Sequence, residues 1–336
     1  GRAAGQQEMN ALSHTEEKPG SPGASPRAAA MGTRATRRAA PGKAVTRERW
    51  VPWLFILPVV LYLALFQGLP LLKELSLSFT DATLLSPQNA TFIGIDNYRT
   101  LFQDSAIRHV FYITAIYTFA CVTLSISLGL GAALLLDRAF KGRSVARALV
   151  TIPWAAPPVA VALIFIWIYN GQYGIFNHAL QWLGLGGNDG SWLDSPQFAL
   201  PAILLTTVWQ IFPFSSVVLL AALQGVPEEL REAAIIDRAD RLNRFKAVVW
   251  PVIQPTVALL ALFITIWSLR RFDLIWLMTQ GGPIGATNTL VIELYRNAFV
   301  NFDLGLAAAL GMTGVAIALV ITLTYSILAR RSARGR

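Results

Sequence analysis

The chain has 336 residues, of which 54% are hydrophobic and only 14% are charged, with a formal net charge of +9. Soluble domains carry about 25% charged residues, so this composition excludes a disordered chain and argues against an ordinary soluble enzyme. The apolar residues are gathered in long runs, which is typical of a protein that crosses the membrane several times. A single cysteine, Cys121, and three scattered histidines give no disulfide framework and no zinc-site spacing.

Residues 1–46 differ in composition from the rest of the chain, because they are rich in Ala, Gly, Pro, Ser, Thr and Arg. Such a stretch cannot bury enough apolar surface to fold. We predict a disordered basic cytoplasmic tail over 1–46, a membrane domain over 47–330 and a basic C-terminal tail over 331–336. The basic region before the first apolar run is too long for a secretory signal peptide.

Six apolar segments follow the tail, and each is long enough for the roughly 20 residues that cross a bilayer. They must be helical, because lipid offers no partner to open backbone groups. The sequence therefore predicts an all-α integral membrane protein with transmembrane helices near 51–72, 109–136, 147–169, 199–222, 256–278 and 303–329.

Lysine and arginine collect in alternate connections, as the positive-inside rule requires of cytoplasmic ones. With the N-terminus inside, the outer connections hold only Lys73, Arg99, Arg108 and Arg296. Both termini are thus predicted to be cytoplasmic, and the positive charge needs no nucleic-acid partner. The inner basic residues are Arg34, Arg37, Arg38, Lys43, Arg47, Arg49, Arg138, Lys141, Arg143, Arg147, Arg231, Arg238, Arg241, Arg244, Lys246, Arg330, Arg331, Arg334 and Arg336.

Small residues recur four positions apart in two of the predicted helices. This spacing lets membrane helices approach closely, and we interpret it as helix packing. The residues are Ser125, Gly129 and Ala133 with Ser127 and Gly131 in helix two, and Gly305 and Ala309 with Ala307 and Gly311 in helix six.

The inner connection between helices four and five, 223–254, has helical signals of its own. Pro227 suits the first position of a helix, and acidic residues follow it where the helix dipole favours negative charge. Asp240 is a candidate N-cap for a second short helix running through Phe245. The pattern predicts a cytoplasmic helix–turn–helix, which is either a docking surface or a helix lying on lipid.

The segment Glu232-Ala-Ala-Ile-Ile-Asp237, followed by Ala239, Phe245 and Pro251, resembles the EAA loop of permease subunits of ABC importers. The family has Gly where this chain has Arg238, and Leu where it has Trp250. Glycine allows a tight turn with positive φ, so Arg238 either adopts that geometry at a cost of about 1 kcal/mol or the turn differs. The resemblance implies ATPase coupling through Glu232, Ala233, Ala234, Asp237, Arg238 and Ala239.

Further segments are similar to the carbohydrate branch of that family, the maltose-type permeases, over about 51–329. The resemblance implies a type I importer fold and a sugar, polyol or glycerol phosphate as the solute. It also implies an ABC ATPase dimer, an extracytoplasmic solute-binding protein and a second permease subunit, which is either a different chain or a second copy of this one, all at a bacterial inner membrane. The matching segments are Phe92–Tyr98, Trp209–Phe214, Ala221–Pro227, Phe272–Asp273, Thr279–Pro283 and Ala298–Phe299.

No phosphate-binding loop of the Gly-x-x-x-x-Gly-Lys-Ser/Thr type occurs in the sequence. The chain is therefore expected to bind no cofactor or metal and to carry no catalytic residue. ATP and magnesium are expected to be used by the partner subunits.

Charged residues interrupt the predicted fifth helix. Arg270 and Asp273 are three residues apart and would pair on one helix face, and Arg271 would reach Trp267 for a cation–π contact. Ions at membrane depth usually face cavities or partners. The cluster is thus either a structural pair or part of a sugar pathway, whose candidate residues are Trp209, Gln210, Trp267, Arg270, Arg271, Asp273 and Trp276.

A stand-alone ion-coupled transporter or channel is the alternative function. It requires a carboxylate near the bilayer midplane, and Asp273 is the clear candidate. A membrane-embedded enzyme lacks a nucleophile motif or paired carboxylates. The EAA loop separates these classes, because a channel or an enzyme would not need it.

Overall fold

The computed structural model describes residues 51–184, 190–237 and 240–334. Within them, extended backbone pairs only at two isolated bridges, Thr80 with Phe92 and Thr83 with Asp303. The all-α prediction is confirmed. The helical segments are Val51–Leu63, Ala64–Gly68 (π), Leu69–Leu77, Pro87–Asn89 (3-10), Asp96–Gln103, Ser105–Asp137, Arg143–Ala155, Pro158–Ile168, Ile175–Trp182, Ala199–Gln224, Glu228–Ile236, Arg241–Arg244, Phe245–Val249 (π), Trp250–Leu269, Asp273–Thr279, Leu290–Phe299 and Leu304–Arg334.

Among the described residues, five helices are long and apolar enough to cross a membrane, and a bent pair of helices makes a sixth if it counts as one span. The chain divides into two units, 1–58 and 59–336, and residues 51–58 of the first are wholly helical. Each predicted segment overlaps one span. The spans are one, Trp53–Leu77; two, Ser105–Asp137; three, Arg143–Ala155 with Pro158–Ile168; four, Ala199–Gln224; five, Arg241–Leu269; and six, Leu304–Ala329.

Span three is not the straight helix that the sequence predicts over 147–169. Its two halves meet at 96°. Pro157 and Pro158 explain the break, because proline has no N–H to donate and disfavours helical backbone in the residue before it. Ala156 and Pro157 accordingly have extended ψ values of 134° and 133°.

The predicted bounds of span five, 256–278, are wrong at both ends. The helix begins at Arg241, because the Asp240 carboxylate accepts a hydrogen bond from the backbone N–H of Asn243 at 2.7 Å and caps it. The predicted second short helix of the loop is therefore the start of span five. The helix ends at Leu269, and a separate helix, Asp273–Thr279, follows the interruption at 270–272.

Two π turns accommodate prolines inside spans one and five. Residues 64–68 precede Pro70, and residues 245–249 precede Pro251. A proline ring collides with the carbonyl four residues earlier, and in both spans that carbonyl lies within the π turn. The wider turn moves the carbonyl aside, so both helices continue through their prolines.

Spans two and four pack closely at small residues. A Cβ atom on Gly129 would collide with the side chain and backbone of Ser215. Ser125 and Ala133, on the same face of span two, are fully buried, so this predicted stripe does serve packing. Gly131, on the second predicted stripe, faces open space instead.

The segment between spans one and two fastens the end of span one. The Asn97 side-chain amide is buried and donates to the carbonyls of Ser78 and Thr80, at 3.0 and 2.9 Å. Hydrogen bonds from the Thr91 hydroxyl and backbone N–H lower the pKa of the exposed Asp81 carboxyl. These bonds hold the connection against the last turn of span one.

Replacing Gly129 by Val should destabilise the protein by about 1–3 kcal/mol, because the added methyl groups overpack the contact with Ser215. The midpoint of thermal unfolding in detergent measures the loss. The matched control is Gly131→Val in the same helix, where the space is open. Equal midpoints for the two variants would contradict the close contact between spans two and four.

Candidate functional site: a cavity between two broken spans

A cavity of about 450 Å³ lies where the breaks in spans three and five face span four. Irregular backbone is tolerated at membrane depth only where it is buried or lines a cavity. The breaks and the cavity are therefore one structural feature. Its lining residues are Trp154, Ala156, Pro158, Gln210, Ile211, Trp267, Arg270, Arg271 and Asp273.

The helices that follow the two breaks pack on each other, which brings the breaks together. Val161 and Phe165 of the helix Pro158–Ile168 share a buried cluster with Leu274 and Met278 of the helix Asp273–Thr279. Within a bilayer, close van der Waals packing of this kind stabilises contacts between helices, because lipid tails are as apolar as the side chains and burial from water contributes nothing. It holds both interruptions at the same level.

Gln210 joins span four to the break in span three. Its Nε2 donates to the carbonyl of Ala156 at 3.0 Å, and Ala156 caps the helix Arg143–Ala155, where carbonyls lack helical partners. The side chain is 5% exposed, and its Oε1 is buried without a hydrogen-bond partner. The cavity wall thus carries an acceptor that the described part of the chain does not satisfy.

Arg270 and Asp273 do not form the predicted pair on one helix, because the helix ends at Leu269. Among the described residues, no ion pair joins them. Asp273 instead begins the next helix, where the helix dipole stabilises its negative charge. Both side chains line the cavity.

Arg271 is half-buried and lines the cavity. Its Nε is buried and has no hydrogen-bond partner in the described part of the chain. The predicted cation–π contact between Arg271 and Trp267 requires both residues to lie on one continuous helix. The helix ends at Leu269, before Arg271.

Aromatic rings form one wall of the cavity. Trp154 stacks on Phe214 with ring centroids 5.5 Å apart, and Phe214 lies 5.1 Å from Trp267. Of the other candidate pathway residues, Trp209 packs on Phe165, and Trp276 packs on Phe272 and Tyr295. Neither Trp209 nor Trp276 lines the cavity. Each packs instead on the aromatic side chains just named.

Sequence reasoning missed Trp154, Ala156, Pro158 and Ile211, which all line the cavity. The signal that could have found the first three is the Pro157–Pro158 dipeptide, a strong helix breaker inside an apolar run. Ile211 carried no separate signal.

The cavity combines two indole faces with guanidinium, amide and carboxylate groups. Aromatic faces and a few convergent polar groups are the usual lining of small-molecule sites. Among the described residues, no three His, Cys, Asp or Glu side chains lie together as metal ligands. The arrangement suits reversible contact with a polar organic solute.

The loop between spans four and five presents a second surface. Its helix, Glu228–Ile236, begins one residue after Pro227, which caps it rather than occupying its first position. Glu232, Ala233 and Asp237 are exposed, while Ala234 is half-buried. Arg238 and Ala239, on which the predicted turn geometry depends, lie outside the described residues.

Exposed apolar side chains flank the acidic ones on this helix. Leu230 is 48% exposed, Ile235 57% and Ile236 81%. Apolar side chains left uncovered beside charged ones mark a contact surface for a protein or a membrane. This surface lies directly beyond the end of span four.

The family model of the binding-protein-dependent transport system inner membrane component matches residues 125–334. The chain belongs to this family. It is accordingly a non-enzymatic, multi-pass membrane subunit of a transport system, and the predicted kinship with ABC importer permeases is confirmed.

Two relatives match over most of the chain. The sulfoquinovosyl glycerol transport system permease protein SmoG of Agrobacterium fabrum is 33% identical over 287 residues, 82% of this chain and 92% of the relative. The trehalose/maltose transport system permease protein MalF of Thermococcus litoralis is 34% identical over 279 residues, 83% of this chain and 93% of the relative.

A solved structure shares the fold. It is a bacterial alginate ABC transporter in complex with alginate pentasaccharide-bound periplasmic protein, and one of its chains superposes with a TM-score of 0.71. The match covers 84% of this chain and 94% of that chain at 23% identity. This likeness supports the helical architecture described above.

Arg271→Ala should lower solute uptake about tenfold while the transport complex still assembles, because a hydrogen bond to a charged group contributes about 1.5–3 kcal/mol. Uptake into vesicles that contain the assembled complex measures the loss. The control is Arg296→Ala, an exposed arginine that does not line the cavity. Uptake by Arg271→Ala equal to that of the control would exclude a role for Arg271 in the pathway.

Proposed function

We propose that this chain is the permease subunit of an ATP-driven importer for a sugar or sugar-like solute, with the cavity between the broken spans on the solute pathway. The observation that carries the proposal is the cavity itself, which joins two indole faces to Gln210 and Arg271. Sugars offer apolar C–H faces to aromatic rings and hydroxyl groups to polar side chains. Family membership and the relatives named for sulfoquinovosyl glycerol and for trehalose and maltose support this solute class.

We propose that ATP hydrolysis is coupled to transport through the helix Glu228–Ile236, which we call the coupling helix. Its exposed side chains, which include Glu232, Leu230 and Ile235, fit a cleft in a soluble protein better than a bare lipid surface. Lipid would leave the acidic groups at the first turn beside the negatively charged headgroups that face the cytoplasm. An ATPase dimer that docks there would supply the hydrolysis for which this chain has no nucleotide-binding motif.

Topology supports an inward-facing coupling helix. The basic residues cluster at 138–147 and at 231–246, and both clusters belong on the cytoplasmic side by the positive-inside rule. An even number of crossings must separate them. Span four is one crossing, and a bent span three that also crosses would be the other, which supports six spans with both termini in the cytoplasm.

The proposed assembly contains a second permease, two ATPases and an external binding protein that delivers the solute. The binding protein is supported by the family description and by the periplasmic protein bound in the alginate transporter. A ligand moves a two-state equilibrium only by binding one state more tightly. ATP on the cytoplasmic side and the loaded binding protein on the outer side would therefore each have to favour one of two conformations of the same helix bundle.

The stand-alone ion-coupled alternative rested on Asp273. In the structure this carboxylate shares its cavity with two arginines, so it is not an isolated site for a cation. No observation favours that alternative.

Glu232→Lys should abolish co-purification with the ATPase, or leave ATP hydrolysis without uptake, because a positive charge replaces an exposed acid on the docking face. The measurement is recovery of the ATPase from detergent, followed by ATP turnover and uptake in liposomes. Asp194→Lys, at an exposed acid in the connection between spans three and four, is the control. Normal transport by Glu232→Lys would refute the docking model.

The solute class is tested by uptake into liposomes that hold the whole complex with its binding protein. Trehalose, maltose and glycerol 3-phosphate are the first probes. ATP-dependent accumulation of one of them, competed by its unlabelled form, is the expected result. Failure of all sugars and polyols alongside accumulation of an amino acid would overturn the proposed class.

A further inference from the structure

Arg231 lies where the coupling helix meets the ends of two spans. Its Nη2 donates to the carbonyl of Leu223, in the last turn of span four, at 2.6 Å. Its Nη1 lies 3.3 Å from the Asp137 carboxylate, at the last residue of span two. One guanidinium thus connects three helices.

The environment of this contact strengthens it. The Arg231 and Asp137 side chains are only 30% and 20% exposed, so water screens the pair weakly. Leu223 offers one of the last carbonyls of a helix, which lack helical donors and carry negative partial charge. Arginine suits the place because its planar fork donates in two directions at once.

The Nε of Arg231 is engaged only loosely. It lies 3.9 Å from the exposed Glu228 carboxylate, one turn earlier in the same helix, and has no hydrogen-bond partner in the described part of the chain. The apolar side chains of Leu230, Ile235 and Ile236 in this helix are exposed. In the described part of the chain, the side-chain hydrogen bonds from the coupling helix to the spans are those of Arg231.

A single helix leads from this contact to the cavity. Gln210 lies 13 residues before Leu223 in span four, about 20 Å away at 1.5 Å per residue, and the helix continues through Pro213 between them. Span two is locked to span four where Gly129 meets Ser215. A displacement of the coupling helix that Arg231 transmits therefore reaches the Gln210 end of the cavity.

We propose that Arg231 is the positioning residue that fixes the coupling helix to spans two and four, so that movement of the helix moves both spans together. This inference rests on the proposed function, namely that an ATPase docks on Glu228–Ile236. Arg231 itself acts through Asp137 and the Leu223 carbonyl and touches no solute. Without it, no side-chain hydrogen bond in the described part of the chain would join the coupling helix to span four.

The test uses the complete importer in liposomes and three readings: recovery of the ATPase, ATP hydrolysis and solute uptake per ATP hydrolysed. Arg231→Ala should keep ATPase recovery within about twofold of the wild type while uptake per ATP falls at least tenfold. Asp137→Asn should lose less, because the contact with the Leu223 carbonyl remains. Arg231→Lys should recover part of the loss, because an ammonium group makes one of the two contacts.

The matched control is Arg99→Ala, which removes an arginine from a 2.8 Å ion pair with Asp96 that is 63% and 58% exposed. It should leave all three readings unchanged. The double variant Arg231→Ala/Asp137→Asn should be no worse than Arg231→Ala alone, because both changes break the same contact.

Two outcomes overturn the inference. Uptake per ATP within twofold of the wild type in Arg231→Ala would show that the contact transmits nothing. Loss of ATPase recovery in both Arg231→Ala and Arg231→Lys would make Arg231 part of the docking face instead. Failure of the wild type to recover any ATPase would refute the proposed function itself, which separates the two failures.

Discussion

The absence of water from the bilayer interior is the constraint on which this structure depends. Backbone groups that leave a helix there must find a partner inside the protein, and two spans of this chain are interrupted. The Gln210 amide meets the requirement at the first interruption by donating to the Ala156 carbonyl. The breaks are tolerable only while spans three, four and five remain together, and the space between them becomes the cavity.

At the ends of the spans, arginine side chains supply hydrogen-bond partners to backbone carbonyls that have none within their helix. Arg143 Nε donates to the carbonyl of Leu136 at the end of span two, and Arg231 donates to that of Leu223 at the end of span four, each at 2.6 Å. Helix C-termini combine free carbonyls with negative partial charge, so a cation there serves as both donor and counter-charge. The arginines of these connections thus also join neighbouring spans to each other.

Hydropathy and charge in the sequence predicted the spans and the helical class, and the resemblance in the loop after span four predicted the family. They failed at the breaks, because an average over an apolar run does not register an interruption such as Pro157–Pro158. The pairing of Arg270 with Asp273 failed for the same reason, since it assumed one continuous helix beyond Leu269. Of two small-residue stripes in span two, only the tertiary packing shows that the one with Gly129 meets span four.

The two breaks also lie beside the two larger apolar clusters of the bundle. One cluster gathers Phe165 and Leu274, beyond the breaks, with Ile264, before them, and the other gathers Leu223 and Ile253, toward the coupling helix. Packed clusters resist gradual deformation, whereas backbone without a helical hydrogen-bond ladder changes its dihedral angles at low cost. Movement that entered at the proposed coupling helix would therefore pass through closely packed side chains until it reached the breaks. It would be absorbed there, at the walls of the cavity, which is where the proposed transport cycle needs a change of shape.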